Sequence, residues 1–336
     1  MDDSGARVGL AALQIGANPA GTAATLEEIL SFEDRIAAEA PDLLVMPEAL
    51  LGGYPKGEAF GAQLGFRTEA GRDRFRRYHE AAVDLDGREV AALAGLSTRT
   101  GASIVTGVIE RAGSTLYCTA IFIEPGRGLI AKHRKLMPTG TERLIWGQGD
   151  GSTLPVFSTK AGRVGAAICW ENYMPLLRTA LYAKGVEVWC APTVDTRDVW
   201  QATMRHIAVE GRCFVVAACQ VQPSPAGLGV EVPNWAADEP LMRGGSVIIG
   251  PLGDVLAGPL WTDTGLVSAR VDLGDIPRAR YDFDVVGHYA RPDIFELTVD
   301  ETPRPGVRAF SSEAAAPAGS AGAGAAKSQL PARPAR

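Results

Sequence analysis

The ten residues AAICWENYMP, Ala166–Pro175, decide how this chain is read. An apolar run stops at a thiol, and an indole, a carboxylate and an amide follow at once. Upstream, LPVFSTKAGRVGAAIC (Leu154–Cys169) has the pattern of two strands joined near Ala161–Gly162. Downstream, Tyr173 to Lys184 has a helical pattern, and VEVWCAP (Val186–Pro192) is a short apolar strand. Strand, helix, strand around a reactive side chain points to an α/β layered domain with a mixed sheet or two sheets.

The same alternation extends outward. RVGLAALQI (Arg7–Ile15) and DLLVMP (Asp42–Pro47) read as buried strands, with one amphipathic helix between them from Thr22 to Ala40. A charged helical stretch, Arg72–Ser97, is expected to break near Gly87. Ala102–Glu110 and Thr115–Glu124 form strands around Gly113, and a turn at Pro125–Gly128 leads into Leu129–Leu136. A Gly-rich loop covers Met137–Ser152; its GQGDG (Gly147–Gly151) lacks the context of a phosphate loop and reads as glycines needed for positive φ. Asp198–Arg212 is a helix, and Cys213–Gln220, Gly244–Pro251 and Thr264–Asp272 are strands. From Ser311 the composition turns to Ala, Gly, Pro and Ser, which cannot bury enough apolar surface to order itself. A single domain over 1–310 and a disordered tail over 311–336 are expected.

Composition excludes several classes. Of 336 residues 46% are hydrophobic, ample for a large core. With 33 basic and 39 acidic residues and no basic block, nucleic acid is not an expected partner. No apolar stretch is long enough for a membrane span. The acidic start MDDSGARVGLAALQIG lacks a basic leader, so a cytoplasmic location is expected. Five cysteines, none at CxxC spacing, and four scattered histidines argue against a disulfide framework and a metal site.

Three stretches place a reactive group directly after an apolar strand: Glu48 in LLVMPEALLGGYP, Lys135 in LIAKHRKL, and Cys169 in AAICWEN. Ends of strands in one sheet can converge on one pocket. A thiolate attacks sp or sp² carbon. A desolvated Glu48 takes the thiol proton, and Lys135 holds the negative charge that develops on the attacked group. Cys118, Cys190, Cys213 and Cys219 lie inside apolar strands and read as small hydrophobes. His133 reads as a hydrogen-bonded structural histidine.

These motifs resemble those of the nitrilase superfamily, whose members hydrolyse non-peptide carbon–nitrogen bonds with a Glu-Lys-Cys triad. MPEALLGGYPKG, HRKLMPTGTERLIWGQGDG and GAAICWENYMPLLR match its three motifs, and the resemblance extends through RHIAVEGRCFVVAACQ to DFDVVGHYARPDIFEL. It implies an αββα four-layer sandwich of the carbon–nitrogen hydrolase type. It also implies Glu48 as base, Lys135 as stabilising amine, Cys169 as nucleophile and Glu142 as a second carboxylate. No cofactor is implied, because the thiol supplies the covalent step. The Cys-Trp-Glu-Asn run is similar to the true nitrilase branch, which turns a nitrile into an acid and ammonia through a thioimidate and a thioester. An amidase or carbamoylase, or a cyanide-hydrolysing enzyme, is the alternative. Tyr54, Trp146 and Trp170 are the expected aromatic walls for a small nitrile, with the loops after Pro192 and around Val221–Asn234. By the same resemblance, homodimers that build larger helical or spiral homo-oligomers are expected. Cys169, ending its strand where the helix holding Tyr173 starts, is expected at that helix's positive end, which favours a thiolate.

Overall fold

Strands and helices alternate along residues 7–304, the part of the chain that the computed structural model describes. In chain order the strands are β1 (Arg7–Gln14), β2 (Leu43–Val45), β3 (Ser103–Ala112), β4 (Thr115–Glu124), β5 (Gly128–Arg134), β6 (Val156–Thr159) and β7 (Gly162–Ala166). They continue with β8 (Val188–Thr193), β9 (Phe214–Cys219), β10 (Val221–Gln222), β11 (Met242–Ile249), β12 (Val255–Trp261) and β13 (Gly265–Asp272). The first sheet has the order β13-β1-β2-β3-β4-β5; the second runs β10-β11-β9-β8-β7-β6, with β12 also paired to β11. β1, β2 and β3 pair in parallel, and so do β7, β8 and β9. Parallel neighbours need helical crossovers. These are α1 (Thr22–Leu30) with α2 (Glu33–Glu39), α3 (Glu69–Ala81) with α4 (Arg88–Thr100), α5 (Pro175–Ala183) and α6 (Asp198–Gly211).

Strand alternation sorts the apolar residues into three cores. Ala11, Leu13 and Leu44 face outward onto Ile29, Ile36 and Leu93 of the helices. Leu10, Ala12 and Val45 face inward and meet Val188, Cys190 and Val216 of the other sheet. Trp189, Ala191 and Val215 face out the other side onto Leu181, Trp200 and Met204. Three cores separate four layers, so the expected αββα sandwich is the observed one. Expected residues 311–336 of the tail lie outside the described residues.

Two local readings are corrected. The helix expected over Thr22–Ala40 is two helices, because the chain turns at Ser31–Phe32 to tuck Phe32 into the outer core beside the helices' Ile29 and Ile36. The glycines of GQGDG are not in the positive-φ region. They stand where backbone passes too close for a Cβ: one on Gly149 would lie 2.2 Å from the Arg134 carbonyl oxygen, and one on Gly151 would lie 2.0 Å from that of Asp300.

Gly107 of β3 has the same cause and a larger consequence. A Cβ there would sit 2.4 Å from the Cα of Glu48. Backbone cannot yield as a flexible side-chain tip does. Gly107→Ala is expected to cost about 1–3 kcal/mol of stability, read as a lowered melting temperature, and to displace Glu48.

Candidate active site

Each of the three reactive side chains sits just beyond the end of a strand. Beyond β2 the pairing to β3 continues through Met46 N–H to the Val105 carbonyl (2.8 Å), Gly107 N–H to Pro47 (2.9 Å) and Leu50 N–H to Gly107 (2.9 Å). Glu48 and Ala49 bulge between those bonds, with Ala49 at φ 49°, and the bulge re-aims the Glu48 carboxylate. Gln220 Nε2 fixes the Glu48 carbonyl at 2.7 Å. Lys135 directly follows β5, and its N–H donates to the Cys118 carbonyl at 2.8 Å. Cys169 follows β7 by three residues and adopts φ 49°. A left-handed conformation costs a non-glycine residue roughly 1–2 kcal/mol and lifts the thiol out of the strand direction. The ends of two sheets, rather than of one, therefore meet here: β2 and β5 from the first and β7 from the second.

Lys135 Nζ lies 2.7 Å from Glu48 Oε1 and 2.8 Å from Glu142 Oε2, all fully or nearly buried. Tyr54 donates its hydroxyl to Glu142 Oε1 at 2.7 Å. Glu142 stands in a single 3₁₀ turn, Gly140–Leu144, where its Oε2 also accepts from Thr139 N–H (2.6 Å). Glu48 Oε1 takes a second donor, the Cys118 thiol at 3.5 Å. Among the described residues Glu48 Oε2 is buried without a hydrogen-bond partner, and Cys169 is close enough for the thiol and the carboxylate to bear on each other's ionisation. Cys118, read from the sequence as a plain hydrophobe, therefore faces the same carboxylate as Lys135.

The residues after Cys169 hold its strained backbone. Asn172 Nδ2 donates to the carbonyls of Ala167 (2.9 Å) and Cys169 (2.8 Å), and Asn172 Oδ1 accepts from Trp189 Nε1 (2.7 Å). Glu171 accepts from Ile168 N–H at 2.8 Å and from Leu136 N–H at 2.6 Å. One buried carboxylate thus ties the residue before Cys169 to the residue after Lys135 across the sandwich. His133 Nε2 lies 2.8 Å from the same carboxylate and Nδ1 lies 2.5 Å from the Thr153 carbonyl. Both neighbours are acceptors, so both ring nitrogens carry hydrogen and His133 is an imidazolium.

Burial is the largest influence on the Glu48 carboxyl and raises it above the usual carboxylate range, although Lys135 pulls the other way. Burial disfavours the Lys135 ammonium, but the facing Glu48 and Glu142 carboxylates outweigh it, so Lys135 stays charged. Burial, then the Glu48 charge, push the Cys169 thiol up, against the pull of Lys135 and a hydroxyl from Thr193. The sequence reading put Cys169 at a helix N-terminus. The structure instead has a 3₁₀ turn over Cys169–Tyr173, and α5 begins only at Pro175. A helix end acts within about its first turn, so the resting thiol is neutral and becomes a thiolate only by giving up its proton.

Cys169, 3% exposed, opens onto a cavity of about 890 Å³. Tyr54, Phe60, Phe75, Ile145 and Trp170 form its apolar walls, and Glu142 its polar floor beside the thiol. Trp170 is 43% exposed, donates to Asp195 Oδ2 at 2.9 Å, and has the Arg197 guanidinium 4.9 Å over its ring. Trp146 is not among the lining residues. It is buried behind Tyr54 (ring centroids 5.8 Å apart) and bonded to the Tyr78 hydroxyl at 3.1 Å. The loop after Pro192 reaches the cavity through Val194, Asp195 and Arg197; Val221–Asn234 does not, and Trp235 just beyond it does.

The carbon–nitrogen hydrolase family model matches residues 8–281. A nitrilase of Bradyrhizobium diazoefficiens is 50% identical over 303 residues, 90% of this chain and 94% of its own. An aliphatic nitrilase of Sinorhizobium fredii is 51% identical over 303 residues, 88% of this chain and 97% of its own. Among solved structures, a CN-hydrolase superfamily protein of Xanthomonas campestris with an arsenic adduct in its active site is similar in fold. It has a TM-score of 0.67 at 17% identity, over 87% of this chain and 99% of that one. With a family match across most of its length and relatives half identical to it, this chain belongs to the carbon–nitrogen hydrolases, on their nitrilase branch.

Proposed function

We propose that this enzyme hydrolyses an organic nitrile, R–C≡N plus two waters giving R–COOH plus ammonia, through covalent attachment to Cys169. The observation that carries the reading is the buried cluster of Glu48, Lys135 and Glu142 next to Cys169, with Cys169 and Glu142 lining a largely apolar cavity. Glu48 accepts the Sγ proton, and the thiolate adds to the nitrile carbon. A C–S bond forms, one C–N π bond breaks, and the nitrogen takes the proton back from Glu48 beside the Lys135 ammonium. Water, deprotonated by Glu48 or Glu142, adds to the thioimidate. The tetrahedral intermediate expels ammonia and leaves a thioester, which a second water hydrolyses. Loss of the thiol before ammonia releases an amide instead.

Tyr54 and Trp170 are proposed to flank a small, largely apolar R group, which suits the aromatic walls. Trp146 is proposed to act on them from behind, by packing on Tyr54. Five cysteines that are all buried and unpaired suit a cytoplasmic setting; among the described residues no helix is long and apolar enough to cross a membrane. Self-association is proposed as well, supported by the exposed Tyr281, Tyr289, Ile294 and Phe295, and light scattering after size exclusion measures it.

Ammonia release from a panel of nitriles, with phenylacetonitrile set against phenylacetamide, tests the activity. Turnover of the nitrile supports it; turnover of the amide alone assigns the site to amide hydrolysis instead. The pH profile adds a sign. Glu48 must be ionised to take the thiol proton, and its carboxyl is raised. The acid limb of kcat/KM is therefore expected at a pH clearly above about 4.3, the ordinary glutamate value. A limb at or below that value contradicts Glu48 as the base.

A further inference from the structure

Beyond the three family residues, one more side chain touches the sulfur. Thr193, the last residue of β8, is fully buried, and its hydroxyl lies 3.3 Å from Cys169 Sγ. Thr193 is the donor in that hydrogen bond. Asp195 N–H donates to Thr193 Oγ1 at 2.9 Å and fills one of its two acceptor sites, so the hydroxyl hydrogen is turned away from Asp195 and is available to the sulfur. Asp195 is itself held by Arg197 (2.9 Å to Oδ1) and by Trp170 (2.9 Å to Oδ2), which keeps the donor in place. A hydroxyl aimed at a neutral thiol gains little; aimed at a thiolate it makes a charge-assisted bond.

We infer that Thr193 is a further catalytic residue, whose hydroxyl stabilises negative charge on Cys169 Sγ and thereby sets both the nucleophile's formation and the balance between acid and amide. The product arm rests on the nitrilase reading above. In the tetrahedral intermediate the reacting carbon carries a hydroxyl, an amine and the sulfur. When the C–N bond breaks, the amine gains a proton and leaves as ammonia, the hydroxyl becomes a carbonyl, and a thioester remains. When the C–S bond breaks, its electron pair returns to Sγ, the hydroxyl proton passes to Glu48, and an amide leaves. Thr193 stabilises the sulfur only in the second exit, and it keeps its own proton throughout. It therefore favours attack by the thiolate at the start and amide escape at the branch.

The test compares the parent with Thr193→Val, which keeps the shape and loses the hydroxyl, and Thr193→Ser, which restores it. Thr193→Ala gives the same reading should the valine variant not fold. The first readout needs no substrate: the rate of alkylation of Cys169 by iodoacetamide, followed by peptide mass, with Cys169→Ala as the blank. A drop of about tenfold or more in the valine variant is expected, with serine close to the parent. The second readout is the amide-to-acid ratio from a nitrile that the parent turns over, expected to fall roughly threefold or more in the valine variant. Alkylation at the parent rate without the hydroxyl overturns the proposal, and so does an amide fraction that stays level or rises. A parent that makes neither product from any nitrile overturns the nitrilase reading, and the alkylation comparison still decides the role of Thr193.

Discussion

Glu48→Gln lowers kcat/KM for nitrile hydrolysis by about 10²–10⁴-fold, the span of a lost general base, while the protein melts no lower than the parent. Two carboxylates share one ammonium in this cluster, Glu48 at 2.7 Å and Glu142 at 2.8 Å from Lys135 Nζ. Removing the Glu48 charge leaves Lys135 paired to Glu142, so no buried ion is stranded. It also relieves the burial that holds the Glu48 carboxyl above its usual range. Activity and stability therefore separate in this variant. The amide cannot take the thiol proton, and the Cys169 thiol, itself pushed up by burial, does not ionise unaided. Steady-state kinetics with a thermal melt checks both halves. Loss of less than tenfold, or loss of the fold along with activity, contradicts the assignment.

His133→Ala has its largest effect on stability instead. The His133 imidazolium and the Glu171 carboxylate are a fully buried pair at 2.8 Å. Removing the histidine strands a buried carboxylate, which typically costs about 3–5 kcal/mol. Burial opposes the charge on His133, but Glu171 and the Thr153 carbonyl outweigh it and raise the group. A raised imidazolium contributes stability that is fully present below its unfolded value of about 6.5 and is lost as pH rises through the folded value. Burial likewise opposes the Glu171 charge, but His133 and two backbone N–H groups lower it. That contribution is present above about 4.3 and is lost as pH falls through the folded value. The parent is thus expected to be most stable between these two limits, and His133→Ala to lose most of its stability there. Denaturant titrations of both proteins across pH measure the difference. Because Glu171 ties Leu136 to Ile168, activity falls with the fold. A stability change under 1 kcal/mol contradicts a charged pair.

The strand-end positions of Glu48, Lys135 and Cys169 were legible because each follows an apolar run at once. Their meeting across two sheets was not, since strand order is a long-range property and each apolar run reads alike in either sheet. Glu171 and Asn172 crowd Cys169 in the sequence for a reason that only coordinates reveal: they hold a left-handed backbone. Cys118 passes as a small hydrophobe because a thiol inside an apolar strand has no pattern of its own, and Thr193 reads only as the start of the loop after Pro192 because a lone threonine carries no signal of contact with a distant sulfur. A signal for Cys118 did exist. Strand alternation puts it on the inner face with Leu116, Ala120 and Phe122, the face that Glu48 also reaches. Trp146 read as a cavity wall because an indole near a catalytic motif is large and apolar; packing behind Tyr54 satisfies the same composition.

The most direct measurement is the mass of the protein quenched during turnover of a slow nitrile, followed by peptide mapping. An adduct of the substrate's acyl or imidoyl mass on the peptide carrying Cys169, absent from Cys169→Ala together with ammonia release, is the expected result. An adduct elsewhere, or ammonia released at the parent rate by Cys169→Ala, contradicts covalent catalysis at this sulfur.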